Sequence, residues 1–143
     1  MPVELVIADV GRRMTMHALA AVDSVGISEG AWWVLYELAH ATHGLSLIEV
    51  AQRTSLSPST VTTVTDQLAA RGWIDRERAA DDRRRVVVVI TDAGADVLDE
   101  ALARCETKFA EYHSRLTGAE WQQLQDLLQR LSDHDLLTPA AQP

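Results

Sequence analysis

The chain has little cysteine, lysine or phenylalanine, and no long apolar run, and each scarcity narrows what it can be. Cys105 is the single cysteine in 143 residues, which excludes an intrachain disulfide framework and suits a reducing compartment. Seven glycines and four prolines are too few for a collagen-like or low-complexity chain. Apolar runs such as Val86–Ile90 stop far short of the roughly 20 residues that a membrane span needs. The first seven residues are partly apolar, but Glu4 and Asp9 interrupt them and no basic segment precedes them, so no signal peptide is expected. No glycine-rich phosphate loop, Ser-His-Asp arrangement or metal-ligand spacing is present, so neither an enzyme nor a cofactor is expected. These exclusions describe a soluble, cytoplasmic protein that does not contact a membrane.

What remains is ordinary for a single globular domain: 47% apolar residues, 24% charged, and enough length to bury a core without a metal. The net charge of −8 is unevenly spread. Residues 46–91 carry seven arginines against six acids, whereas the rest carries 6 basic against 15 acidic side chains. Three of those central arginines, Arg83, Arg84 and Arg85, are consecutive.

Val3, Val6, Ile7, Val10, Met14 and Ala18 recur at helical spacing, predicting a first helix to about Val22 that Gly26 breaks. Ser28 is placed to cap a second helix ended by Gly44, with Trp32, Leu35, Tyr36, Leu38 and Ala39 on it. Ser46 and Glu49 form a capping box that opens a short third helix, with Leu47, Val50 and Ala51 inward. After a turn at Ser55 and Leu56, Ser57 caps a fourth helix over 58–71, with Pro58 in its first position and Gly72 as its stop. The period then changes. Residues 73–78 alternate, 79–85 are polar and charged, and 86–90 are β-branched throughout, predicting a hairpin with a basic tip. Thr91 caps a fifth helix over 92–114, and Thr117 with Glu120 boxes a sixth carrying Trp121, Leu124, Leu127, Leu128 and Leu131.

The fold class this predicts is mainly α with a small two-stranded β wing: a winged helix-turn-helix lobe over 28–91, helical segments at 1–26 and 92–137, and a frayed tail at 138–143. In such a lobe the fourth helix fits a DNA major groove and the hairpin reaches the sugar-phosphate rails or the minor groove. Val61, Val64 and Leu68 would face Leu47, Val50 and Ile74, leaving Ser59, Thr60, Thr62, Thr63, Asp66 and Gln67 outward. Threonine and serine hydroxyls serve either base as donor or acceptor. No Arg or Lys lies between Pro58 and Ala70, so phosphate contacts would come from Arg53, Arg71, Arg76 and the wing arginines 83–85, with Ser57 a cap beside a phosphate. For Arg53 and Arg71 the reading as simple helix-end charges stays open.

The order of motifs resembles the MarR family of bacterial transcription regulators. The resemblance is carried by Ser-Leu-Ser-Pro-Ser-Thr-Val-Thr at 55–62, Leu-Ala-Ala-Arg-Gly-Trp-Ile-Asp-Arg at 68–76, Asp-Arg-Arg-Arg-Val-Val-Val-Val-Ile-Thr-Asp-Ala-Gly at 82–94, and the entry to the second helix at 27–35. It implies a ligand-responsive homodimeric repressor on a pseudo-palindromic operator in double-stranded DNA, with helices 1, 5 and 6 forming the dimerisation region. It also implies that Arg84 probes the minor groove, that Asp82 shapes the wing and that Asp66 orients the wing arginine. A small aromatic or phenolic effector is implied for a cleft between the dimer helices and the DNA lobe. The residues assigned to that cleft are Trp32, Trp33 and Tyr36, with Arg12, Arg13 or His17 as anion partners. Adjacent tryptophans diverge by about 100° on a helix, so one of Trp32 and Trp33 must pack against a partner subunit or a ligand.

His40 and His43 lie one turn apart, but two such ligands do not make a tetrahedral site, and no metal is expected. Cys105, without a basic cluster around it, reads as a buried inert thiol. The uncharged fourth helix and the net charge of −8 also suit a winged-helix protein-interaction module that has lost DNA binding, and the effect of Arg84→Ala on DNA affinity separates the two.

Overall fold

A computed structural model describes residues 1–132, in which six helices and one antiparallel hairpin give the mainly α fold with a β wing. The expected tail at 138–143 and the end of the last helical segment lie outside the described residues. The chain divides into two compact units, Met1–Lys108 and a second beginning at Phe109.

Most helix starts are set by local side-chain chemistry. In α2 (Glu29–His40) the Ser28 hydroxyl accepts the Ala31 N–H at 3.3 Å. In α3 (Leu47–Thr54) the Ser46–Glu49 box is complete in both directions. Ser57 caps α4 (Pro58–Ala70), and Thr91 accepts the Gly94 N–H at the start of α5 (Asp92–His113). Each such cap is worth about 1 kcal/mol. α1 (Val3–Asp23) lacks a side-chain cap, and Gly26 turns the chain after it at a φ of 75°.

The core of the first unit gathers Val34 and Leu35 of α2, Val50 of α3, Val61 and Leu68 of α4, Ile74 of β1 (Ile74–Arg78) and Val88 of β2 (Val86–Ile90), with Leu45 between α2 and α3. Each buried side chain contributes roughly 1.5–3 kcal/mol relative to exposure. The strands pair from Ile74 with Ile90 to Arg78 with Val86. Only Ile74 of β1 is buried, so the alternation expected over 73–78 is not expressed as burial.

One boundary differs from the sequence reading. α2 ends at His40, four residues before Gly44, because Ala41 turns extended. Gly44 instead serves a close approach: a Cβ there would sit 2.6 Å from Val87 Cγ2 and 2.9 Å from Val89 Cγ1. Beside it, Leu45 and Val88 exchange backbone hydrogen bonds of 3.0 and 2.8 Å, adding a one-residue third rung to the wing.

α1 buries only Ala21 and Val22, leaving Val3, Leu5, Val6, Ile7, Val10 and Met16 exposed. In the second unit, Glu120 accepts the Thr117 N–H at 2.7 Å and closes the box that opens α6 (Gly118–Ser132). Leu127, Leu128 and Leu131 of that helix are exposed.

The start of α5 is pressed against the residues before the wing. The Thr91 hydroxyl donates to the Gly72 carbonyl at 2.7 Å, and the Thr91 N–H to that of Trp73 at 3.0 Å. A Cβ on Gly94 would fall inside contact distance of the Trp73 carbonyl oxygen and 2.9 Å from Ile90 Cγ1. Gly94→Ala is therefore expected to cost about 2 kcal/mol despite alanine's better helix propensity. Urea unfolding should show a lower midpoint at unchanged slope, and an unchanged midpoint would contradict the packing described.

Candidate nucleic-acid interface

α4 is fixed by its inner face. Val61, Val64, Thr65 and Leu68 are buried, while Ser59, Thr60, Thr62, Thr63, Asp66 and Gln67 are exposed. Thr65 was not foreseen as a buried residue. Its position four residues after Val61 and three before Leu68 carried the signal, and its hydroxyl is satisfied by donating to the Val61 carbonyl at 2.8 Å. Ser55, at a φ of 57°, makes the left-handed turn that lets α4 follow α3 so closely.

The outward hydroxyls are already organised. Thr62 and Thr63 donate back to the carbonyls of Pro58 and Ser59 at 3.0 and 3.1 Å. Ser57 Oγ accepts the Thr60 N–H at 3.2 Å and lies 3.1 Å from the Ser59 hydroxyl and 2.7 Å from that of Thr60. The face is therefore hydroxylic and methyl-bearing, and Asp66 is its only charged side chain.

The arginines around this helix are not equivalent. At the wing tip, Asp82 accepts the Arg84 N–H at 2.9 Å, and its backbone carbonyl accepts that of Arg85 at 2.9 Å. Among the described residues, no hydrogen bond or ion pair engages the guanidinium of Arg83 or Arg84, and both residues are exposed. Arg85 is turned inward to Asp81 at 3.2 Å and Glu49 at 3.5 Å. Arg53 faces Glu37 at 3.8 Å. Arg71 donates to the Gly26 carbonyl at 2.9 Å and lies 4.7 Å over the Trp73 ring, so it ties the end of α4 to the turn after α1. Asp66, expected to orient the wing arginine, is paired with Arg76 of β1 and not with a tip guanidinium.

Glu49 joins these parts. The Ser46 N–H and hydroxyl, with the Arg85 guanidinium, hold its carboxyl below the usual range. A lowered folded-state value means that this contribution is present at neutral pH and is lost as pH falls through that value.

The residues assigned to an effector cleft are only partly assembled. Trp32 is 6% exposed and Trp33 37% exposed, so the two tryptophans diverge as helical geometry requires. Trp33 meets Tyr36 edge-on at 6.3 Å, and Tyr36 stacks against His40 at 4.2 Å. Arg12 and Arg13 both pair with Asp9 on their own helix, at 2.7 and 2.9 Å. His17 is exposed on the same helix. A cleft of about 430 Å³ opens instead between the wing base and the α2–α3 connection, lined by His43, Gly44, Glu49, Glu77, Arg78 and Arg85. Among the described residues, no three His, Cys, Asp or Glu side chains are grouped to hold a metal, and no helix is long and apolar enough to cross a membrane. Cys105 is buried with Sγ 3.8 Å from the Ala18 carbonyl, and burial pushes its thiol pKa up.

Known proteins resemble this chain in sequence and fold. The model of the MarR family matches residues 25–85. The HTH-type transcriptional repressor MdtR of Bacillus subtilis is 30% identical over 122 residues, covering 85% of this chain and 77% of that protein. The HTH-type transcriptional repressor YetL of the same organism is 30% identical over 112 residues, covering 75% and 67%. Among solved structures, CouR from Rhodococcus jostii RHA1 bound to p-coumaroyl-CoA superposes with a TM-score of 0.78 at 23% identity, covering 92% of each chain. Apo MarR from E. coli gives 0.75 at 21% identity, covering 92% of this chain and 97% of that one.

The Asp66–Arg76 pair is exposed, so it adds less than about 1 kcal/mol to folding. Its larger effect is to neutralise the single charge on the outer face of α4. Arg76→Gln leaves that carboxylate bare and is expected to weaken DNA binding about tenfold, with Asp66→Asn recovering most of the loss in the same background. Anisotropy titrations of the four proteins in the cycle measure this coupling, and additive effects would contradict it.

Proposed function

The chain belongs to the MarR family of transcription regulators, and from that membership we propose that it is a homodimeric, ligand-responsive repressor acting on a pseudo-palindromic operator. Each subunit sets α4 into a major groove and its wing tip against the adjacent minor groove. Half-site centres lie about 10 base pairs apart, because the two-fold axis of the dimer must match the groove repeat. The observation that carries this reading is the pairing of a hydroxylic helix face, its one carboxylate neutralised by Arg76, with a wing tip whose Arg83 and Arg84 guanidinium groups are unengaged among the described residues. Ser59, Thr60, Thr62, Thr63 and Gln67 face the bases and nearby phosphates, and Arg83 and Arg84 supply the charge. Ser57 is first a cap, and Arg53, Arg71 and Arg85 act mainly by holding the lobe together.

The exposed apolar positions of α1 and α6 support a homodimer, since stripes of this kind on a small protein mark a contact surface. The effector is an aromatic acid or its thioester. The half-exposed Trp33 beside Tyr36 and the p-coumaroyl-CoA bound by the Rhodococcus relative support that class. Effector binding changes the spacing of the two DNA-binding lobes, so that both helices no longer fit successive grooves. The family is one of transcription regulators, not of enzymes, and the protein acts in the cytoplasm, where its DNA is.

Binding to DNA from upstream of its own gene tests the proposal. About four phosphates neutralised per dimer, by Arg83 and Arg84 of each subunit, give a log–log salt slope near −4. Arg84→Ala should weaken binding by about tenfold or more and make the slope shallower by about 2, one contact per subunit. An Arg84→Ala protein that binds as tightly as the wild type, with the same slope, would leave the wing without the role given to it.

A further inference from the structure

The donor and acceptor inventory of α4 narrows which base pairs it reads, an inference that rests on the DNA-binding role proposed above. Guanine presents only acceptors, N7 and O6, in the major groove, and is most often read by Arg or Lys. α4 has neither between Pro58 and Ala70. Thr62 and Thr63 spend their hydroxyl protons on the Pro58 and Ser59 carbonyls, so outward they offer lone pairs and methyl groups. Arg76, the guanidinium fixed to this face from β1, is bound to the Asp66 carboxylate. Gln67 is exposed, and no hydrogen bond engages its carboxamide among the described residues. A free carboxamide matches adenine, donating to N7 and accepting from N6, and threonine methyls match the thymine methyl.

We propose that the base pairs beneath Thr63 and Gln67 are A·T pairs, with Gln67 reading adenine through both of its amide groups and Thr63 packing its methyl against thymine. Gln67 is then a specificity-determining residue, while overall affinity comes from the wing. Its exposed position makes Gln67→Ala neutral for folding, so the variant reports on recognition alone.

The test begins by selecting duplexes from a random pool with the full chain, then measures anisotropy on the selected duplex. Replacing one adenine per half-site with 7-deazaadenine, which lacks the N7 acceptor, should weaken wild-type binding about tenfold. The same replacement should leave Gln67→Ala unaffected, and both proteins should bind a scrambled duplex equally. Guanine enriched at the positions whose preference Gln67→Ala erases would overturn the proposal while leaving sequence-specific binding intact. So would a deaza effect of equal size in the two proteins. Selection that enriches no duplex, with no salt-dependent binding, would instead overturn the DNA-binding reading and this inference with it.

Discussion

The position of the wing beside α4 depends on two backbone hydrogen bonds, those between Leu45 and Val88. They attach the α2–α3 connection to β2, and they form only because Gly44 has no Cβ to collide with Val87 and Val89. Leu45 and Val88 are themselves fully buried, so this joint is dry, and an unpaired backbone group there would cost roughly 1–3 kcal/mol. Everything that makes the wing usable follows from the joint. It brings Arg85 to Glu49, while the Arg83 and Arg84 guanidinium groups have no ion pair among the described residues.

The electrostatics resolve the apparent conflict between a net charge of −8 and a polyanionic partner. Four acids of the lobe are paired with its own cations: Glu37 with Arg53, Glu49 and Asp81 with Arg85, Asp66 with Arg76. Glu49 is also spent on a helix cap, which keeps it ionised. The result is a surface in which the recognition helix is neutral and positive charge is concentrated at the wing tip. In the DNA-binding role proposed here, electrostatic attraction at the tip supplies affinity, while short hydroxyls, methyls and one amide on α4 supply discrimination.

Much of this was legible in the chain because capping chemistry is local. Ser28, Ser46, Ser57, Thr91 and Thr117 each announce a helix within three residues, and the shift to a β-branched run at 86–90 announces the wing. What was hidden depends on contacts distant in sequence. A one-residue rung at Leu45 leaves no periodic pattern, so Gly44 read as a helix stop when it is a packing glycine. Arg71 looked like a helix-end charge or a phosphate ligand, and its partners at Gly26 and Trp73 lie across the lobe or beyond the helix. Asp66 was recognised as an orienting acid by resemblance, but which arginine it takes is decided by the hairpin's register. Thr65 was missed because a β-branched hydroxyl residue can face either way until its carbonyl partner is known.

The most direct measurement is hydroxyl-radical footprinting of the protein on DNA from upstream of its own gene. Two protected zones related by a two-fold axis are expected, with centres about 10 base pairs apart and a flank of minor-groove protection that Arg84→Ala removes. A single protected zone, or protection unchanged by losing Arg84, would contradict the assignment of a paired α4 and wing as the DNA-reading surface.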